Sequence, residues 1–195
     1  MIEKKLVWLD TMTSPQIRIN ELVNRVQDII ALLAPLRQTG LSVACNICRY
    51  QYFGCKVVAA HEGFKNAENF NDWYFRTFVG QIWCQYYELW KPFNGFSKLT
   101  LNRAYLNVVI ENKETRSFDK LVSIHCEPYY IADTRQSRYK RGPHLHVQKA
   151  ENPIPKCHFP LNLAELDKVL SSKKNITDAL KSSIQIICDE VLTRY

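Results

Sequence analysis

Three groups of residues in this 195-residue chain have the types and spacing for chemistry. The first is His144-Leu145-His146, directly after Gly142-Pro143. In an extended strand alternate side chains point the same way, so His144 and His146 share one face and Leu145 and Val147 the other. Two imidazoles so placed can act as general acid and base, or ligate one metal ion. His158 falls on the next expected strand, where a hairpin through Pro153-Ile154-Pro155 brings it opposite the pair. His125 lies on the preceding one. Four of the 5 histidines therefore fall between residues 125 and 158. Glu127 and Glu151 are the candidate carboxylates to orient an imidazole or to turn the site into a metal centre.

The second group leads into the first. Residues 129–149 read YYIADTRQSRYKRGPHLHVQK, with Arg135, Arg138, Lys140, Arg141 and Lys149 set against Asp133 alone. That leaves +4 of the chain's formal +7 in one segment. Tyr129, Tyr130 and Tyr139 are interleaved with the cations. Guanidinium and ammonium groups beside aromatic faces suit a phosphate backbone with unstacked bases, so Arg135, Arg138, Tyr139, Lys140, Arg141 and Lys149 are the expected nucleic-acid contacts. A solvated loop is the alternative; clustering, more than total charge, favours a polyanion. On RNA the two groups together point to phosphodiester cleavage. One histidine of the set His125, His144, His146 and His158 would take the ribose 2′-hydroxyl proton and another would protonate the leaving 5′-oxygen. Arg138, Lys140 or Arg141 would neutralise the developing phosphorane. That chemistry requires no cofactor.

The third group is Cys45-Asn46-Ile47-Cys48, followed by Cys55 and His61. Cys-x2-Cys is the usual knuckle of a structural zinc site, and Cys55 and His61 would complete a tetrahedral set. There is no second knuckle, and Tyr50, Tyr52 and Phe53 look like core. Buried free thiols are the competing reading, as they are for Cys84 and Cys188. An odd count of 7 Cys argues against a disulfide framework.

The stretch from Leu121 to Leu170 resembles the C-terminal part of small toxins from bacterial toxin–antitoxin pairs. Those proteins place a basic, His-rich stretch with prolines after a curved antiparallel sheet, followed by a short helix. The matching residues are Arg138, Pro143, His144, His146, Pro155 and His158. The likeness covers about a quarter of the chain, and no functional residue is carried over from it.

The elements that must position these groups are read from periodicity. Ser14-Pro15 is a helix start, and Ile19, Leu22, Val23, Val26, Ile29, Ile30 and Leu33 keep helical spacing, which predicts a helix over 15–34. Its other face (Arg18, Glu21, Asn24, Arg25, Asp28) reads as solvated surface. Phe75, Phe78, Val79, Ile82, Trp83, Tyr86 and Trp90 read as the buried stripe of a central helix over about 72–90. Leu41–Val43 and Lys56–Ala60 are strand candidates. Lys98–Glu111 and Leu121–Tyr130 read as a hairpin about 112–117, and His144–Lys149 and Cys157–Phe159 as two further strands. Asn162 caps a short helix with Leu163, Leu166, Val169 and Leu170, and Ile176 to Leu192 forms a last amphipathic one. The expectation is one α+β domain, an antiparallel sheet within about 98–160 packed by N-terminal, central and C-terminal helices.

Composition closes off other classes. With 46% hydrophobic and 12% aromatic residues the chain is not disordered, and 6 scattered Gly leave no phosphate-cradling loop. No apolar run reaches the roughly 18–20 residues of a membrane span, and Met1–Leu6 does not read as a secretory signal, so a cytoplasmic protein with no membrane partner is expected. The functional expectation is a nucleic-acid-acting protein, RNA before DNA, as a small His-dependent ribonuclease serving as toxin or defence effector. The alternatives are a non-catalytic subunit of a larger complex, antiviral defence among them, whose 129–149 loop holds nucleic acid or an acidic protein, and a zinc-stabilised interaction module.

Overall fold

The computed structural model describes residues 14–37, 43–48, 56–62, 73–93, 97–115, 117–128, 140–147, 157–161 and 163–195, with backbone alone for 43–48, 62, 157, 158 and 163. It is an α+β fold built on one antiparallel sheet. The strands are β1 (Gln16–Arg18), β2 (Val43–Cys48), β3 (Lys56–Glu62), β4 (Phe75–Arg76), β5 (Ile82–Phe93), β6 (Lys98–Asn112), β7 (Ser117–Cys126), β8 (His144–Val147) and β9 (Cys157–Pro160). The path runs β2-β3-β5-β6-β7-β8-β9, with β1 added against β6 and β4 against β5. The helices are α1 (Leu22–Leu33), α2 (Leu166–Leu170) and α3 (Lys173–Glu190), and α3 is capped by Ser172, whose side chain accepts from the Asn175 N–H.

Two expectations are corrected. The N-terminal helix begins at Leu22, because residues 16–18 pair with Lys98–Thr100 as a strand and a 3-10 turn follows. The central helix does not exist: Ile82–Phe93 is the strand β5, paired with β3 on one side and β6 on the other. Ile82, Tyr86 and Trp90 are four apart, a spacing that fits one face of a helix and one face of a strand alike. The intervening Cys84 and Glu88 are buried on the same side as those three, which gives a period of two. Trp, Tyr and Ile also favour the pleated surface. The sheet therefore extends well upstream of residue 98.

Both helical ends of the chain cover one face of this sheet. Ile29, Leu32 and Leu33 of α1 and Ile176, Leu180, Ile184 and Ile187 of α3 share a core with Val58 and Ala60 of β3, Tyr86 and Trp90 of β5, Leu106 and Val108 of β6 and Ile124 of β7. In the middle of that apolar layer lies a charge. The Glu88 carboxylate accepts from Arg25 Nε at 2.9 Å, Arg25 Nη2 at 2.5 Å, Tyr86 Oη at 2.6 Å and Trp90 Nε1 at 2.9 Å. Arg25 Nη1 donates to Thr177 Oγ1 on α3 at 2.7 Å. Both Arg25 and Glu88 are 0% exposed, so Arg25 is not the solvated surface residue that its helix position suggests. Burial alone would lower the Arg25 pKa; the Glu88 charge more than reverses that and holds it above its ordinary value.

Removing one partner leaves the other charged and buried. Arg25→Ala or Glu88→Ala is expected to cost about 3–5 kcal/mol of unfolding free energy in urea titrations. The double change Arg25→Met, Glu88→Leu is expected to recover most of that loss, and a single variant costing under about 1 kcal/mol would contradict the role given to the pair.

Candidate active site

The other face of the sheet has a different composition. Gln85 and Tyr87 of β5, Tyr105 and Asn107 of β6, Ser123 and His125 of β7, and His144 and His146 of β8 stand on it, in register across four strands. Tyr87 pairs with Tyr105, Tyr105 with His125, and His125 with His144. One step along, Gln85 pairs with Asn107, Asn107 with Ser123, and Ser123 with His146. Leu145 points the opposite way and packs against the main core, as the strand alternation predicted. At the far side Val57, Ala59, Trp73 and Tyr87 make a second small cluster.

Three of the four predicted histidines meet. One ring nitrogen from each of His125, His144 and His146 lies within 4.8 Å of the others. The His125 and His146 rings are stacked at 4.3 Å and 25°, and His144 stands 5.9 Å and 5.6 Å from them. His144 is buried, and its Nδ1 lies 3.0 Å from the Gly142 carbonyl. A carbonyl can only accept, so Nδ1 carries a proton, and in the neutral ring Nε2 has the lone pair. Gly142 has a packing reason for its missing side chain, because a Cβ there would sit 2.8 Å from Leu166 Cδ1. His158 is opposite His146 in the β8–β9 ladder, with its backbone alone described.

The outer side of His125 is occupied by Tyr105, stacked on it at 4.0 Å and 13°. The Tyr105 hydroxyl donates to Glu127. Burial, and then the carboxylate it donates to, raise the phenol pKa above its ordinary value, so Tyr105 stays a hydroxyl near neutrality and donates its hydrogen bond to Glu127. Arg103 lies 5.8 Å from the Tyr105 ring centroid. Burial also raises the Tyr87 phenol, and Arg103 opposes that shift. Sequence reasoning named Glu127 and missed Tyr105, Arg103, Asn107 and Ser123. Their signal was there: Tyr105 and Asn107, then Ser123, His125 and Glu127, are polar at a period of two inside otherwise apolar strands.

The face continues towards the other end of β5. Trp83 lies 5.8 Å from Phe118, which stacks on Tyr74 at 4.3 Å, and the Arg76 guanidinium is 4.6 Å from the Trp83 ring. A bulge between Val108 and Val109 lets Phe118 join the face that carries Ser123 and His125. From His125 to Phe118 the strand covers roughly 20 Å.

Of the expected nucleic-acid contacts, Arg135, Arg138, Tyr139 and Lys149 lie outside the described residues. Lys140 and Arg141 are described, and both are bonded to residues at the end of β7 and just beyond it. The Glu127 N–H donates to the Lys140 carbonyl at 3.0 Å, the Cys126 thiol donates to the Arg141 carbonyl at 3.2 Å, and Arg141 Nε donates to the Pro128 carbonyl at 3.0 Å. Burial lowers the Arg141 pKa from its ordinary value, with Asp167 opposing. For the cysteine-rich group, Cys45–Cys48 is part of an extended strand paired with Val57–Ala60, not the tight turn a zinc knuckle needs. Cys55 lies outside the described residues, and His61 is buried edge-on to Trp73 at 4.4 Å. Cys84, Cys126 and Cys188 are buried free thiols whose pKa values burial raises.

The chain matches no protein-family model, no curated protein and no solved structure.

Two conservative variants separate the bonded from the unbonded members of this face. Ser123 Oγ is buried and has no hydrogen-bond partner among the described residues. Ser123→Ala is therefore expected to leave the urea-unfolding free energy within about 1 kcal/mol or raise it. Tyr105→Phe, which strips Glu127 of its donor, is expected to lower it by about 1–3 kcal/mol. Equal losses in the two variants would contradict this division.

Proposed function

We propose that this chain is a phosphodiester hydrolase acting on RNA, with the histidine-bearing sheet face as its reaction centre. The observation that carries the reading is the convergence of His125, His144 and His146 from two neighbouring strands onto one spot. Such convergence is more than ring stacking, itself worth about 0.5–1.5 kcal/mol a pair, requires. It has a direct use where an oxygen nucleophile must be activated.

The surroundings favour a polyanionic, partly single-stranded substrate. The basic segment 129–149 carries β8 within it, and cations so close in sequence to a reaction centre would raise the local substrate concentration and hold phosphates. The aromatic groups Trp83 and Phe118, about 20 Å along the same face, offer ring surfaces on which unpaired bases stack. In the proposed cleavage the ribose 2′-oxygen loses its proton to the centre and bonds to phosphorus. The phosphorus–5′-oxygen bond breaks, and that oxygen takes up a proton. His158, opposite His146 in the β8–β9 ladder, is the imidazole left outside the convergent set to give that proton. Arg138, Lys140 or Arg141 of the basic segment would neutralise the developing charge.

The test is cleavage of labelled RNA by clean full-length protein. His144→Ala or His146→Ala is expected to lower the rate by about 10²–10⁴-fold or more while RNA affinity stays within about two-fold. Absence of cleavage of any RNA by the wild type, with and without divalent metal, would overturn the reading and favour a non-catalytic binding subunit.

Affinity has its own readout. The double change Arg135→Ala, Arg138→Ala is expected to reduce the slope of log affinity against log salt by about 1.4 for single-stranded RNA, from roughly 0.7 per phosphate contact. An unchanged slope would remove that segment from the interface.

A further inference from the structure

We infer that His125, His144 and His146 form a binding site for one divalent transition-metal ion of the zinc class, with a fourth coordination position left open. The site itself stands on geometry alone; only its role in catalysis rests on the ribonuclease reading above.

The scaffold comes first. His125 and His144 are directly opposed in the β7–β8 ladder, and His146 is two residues along the same strand and on the same face. Three donors on two hydrogen-bonded strands are held without any loop having to order. Their ring nitrogens lie within 4.8 Å of one another. A tetrahedral ion with metal–nitrogen bonds of about 2.0–2.1 Å separates its ligand nitrogens by roughly 3.4 Å, so side-chain rotation of an ångström or so closes the set.

The groups behind the donors are those a metal site requires. Ligating histidines almost always give their second ring N–H to a carbonyl or carboxylate, which fixes the tautomer and aims the lone pair. His144 does this through Nδ1 to the Gly142 carbonyl at 3.0 Å, which makes Nε2 the ligand atom. His125 is held in plane by the Tyr105 ring, and Tyr105 is in turn held by Glu127. Beside the cluster, Ser123 Oγ and Asn107 Oδ1 are buried with no hydrogen-bond partner among the described residues. Both are acceptors suited to a water on the open position, and buried polar atoms left unsatisfied call for such an explanation.

The donor set selects the ion. Three neutral imidazoles suit zinc, cobalt, nickel or copper and not magnesium or calcium, which want oxygen. With no carboxylate among the three ligands the ion keeps its full charge. Three protein ligands and an open position are the pattern of catalytic rather than structural zinc. In the proposed reaction a hydroxide on the open position would take the ribose 2′-hydroxyl proton, because the three imidazoles would have their lone pairs on the ion.

The test uses tag-free full-length protein, stripped with a chelator and titrated with Zn²⁺ alone against a chromophoric competitor. The expected result is one tight equivalent per chain. His125→Ala and His146→Ala should each weaken it by roughly 100-fold or more. These two half-buried positions are chosen over the buried His144, and circular dichroism confirms that the variants fold. Co²⁺ in place of zinc should give visible bands of a four-coordinate ion without a thiolate charge-transfer band. Failure of the folded wild type to take up zinc, uptake unchanged in the double variant His125→Ala, His146→Ala, or a thiolate band that persists in that double variant would each overturn the site. Zinc uptake without RNA cleavage would overturn the ribonuclease reading and leave the site standing. Cleavage that persists in chelator, by protein that takes up no zinc, would do the reverse.

Discussion

Glu88 occupies the centre of the fold in both senses. It lies on β5, the strand paired with β3, β4 and β6, and its side chain points into the apolar layer under the helices. A buried carboxylate is costly unless its lone pairs are filled. Four donors fill them, two from Arg25 and one each from Tyr86 and Trp90. Arg25 reaches on to Thr177, so one charge pair ties α1, β5 and α3 together. Hydrophobic contact is tolerant of sliding; a carboxylate that needs four donors in fixed directions is not. The pair sets where α1 and α3 lie on the sheet, and the apolar residues around it then have one arrangement to fill.

Because both helical ends of the chain lie on that face, the opposite one is left for polar groups. Alternation along β5, β6 and β7 sends Tyr86, Leu106 and Ile124 to the core and Tyr87, Tyr105 and His125 to the other side. A strand with a fixed apolar side cannot slip by one residue without burying its polar set. The register that builds the core therefore also sets Tyr105 against His125 and His125 against His144. The site inherits its positional accuracy from the packing behind it.

Much of this was legible from residue order, and the rest failed for identifiable reasons. The hairpin of β6 and β7, the strands β8 and β9 and the helix from Lys173 to Glu190 each carry a clear period and turn residues, and each was found. The pairing of His144 and His146 on one face followed from alternation alone, and placing His125 beside them needed only that β7 and β8 be neighbours. The segment Ile82–Phe93 misled because Ile82, Tyr86 and Trp90 fit both periods; its apolar Trp83 and Tyr87 on the second face hid the alternation. Arg25 misled for a different reason. A cation on a helix reads as surface unless its partner is known, and Glu88 lies 63 residues away. No local rule links them. Tyr105 was passed over because a tyrosine in a strand is ordinary; it matters only through the ring of His125 and the carboxylate of Glu127.

The orientation of the rings bears on the kind of chemistry proposed for the cluster. In-line displacement at phosphorus puts the entering and departing oxygens on opposite sides, so a base and an acid serving them must flank the phosphate. His125 and His146 do not flank anything: their rings are stacked at 4.3 Å, and their nitrogens converge with that of His144. Convergent lone pairs serve a single point charge better than two separated proton transfers. On the proposed reading the proton for the departing oxygen then has to come from outside the three rings, and His158, opposite His146 in the β8–β9 ladder, is the imidazole that remains. On this reasoning the four histidines that the sequence presents as interchangeable acid–base candidates divide by geometry. Three form one ligand-like set, and the fourth, His158, is the one that the proposed reading leaves for proton transfer.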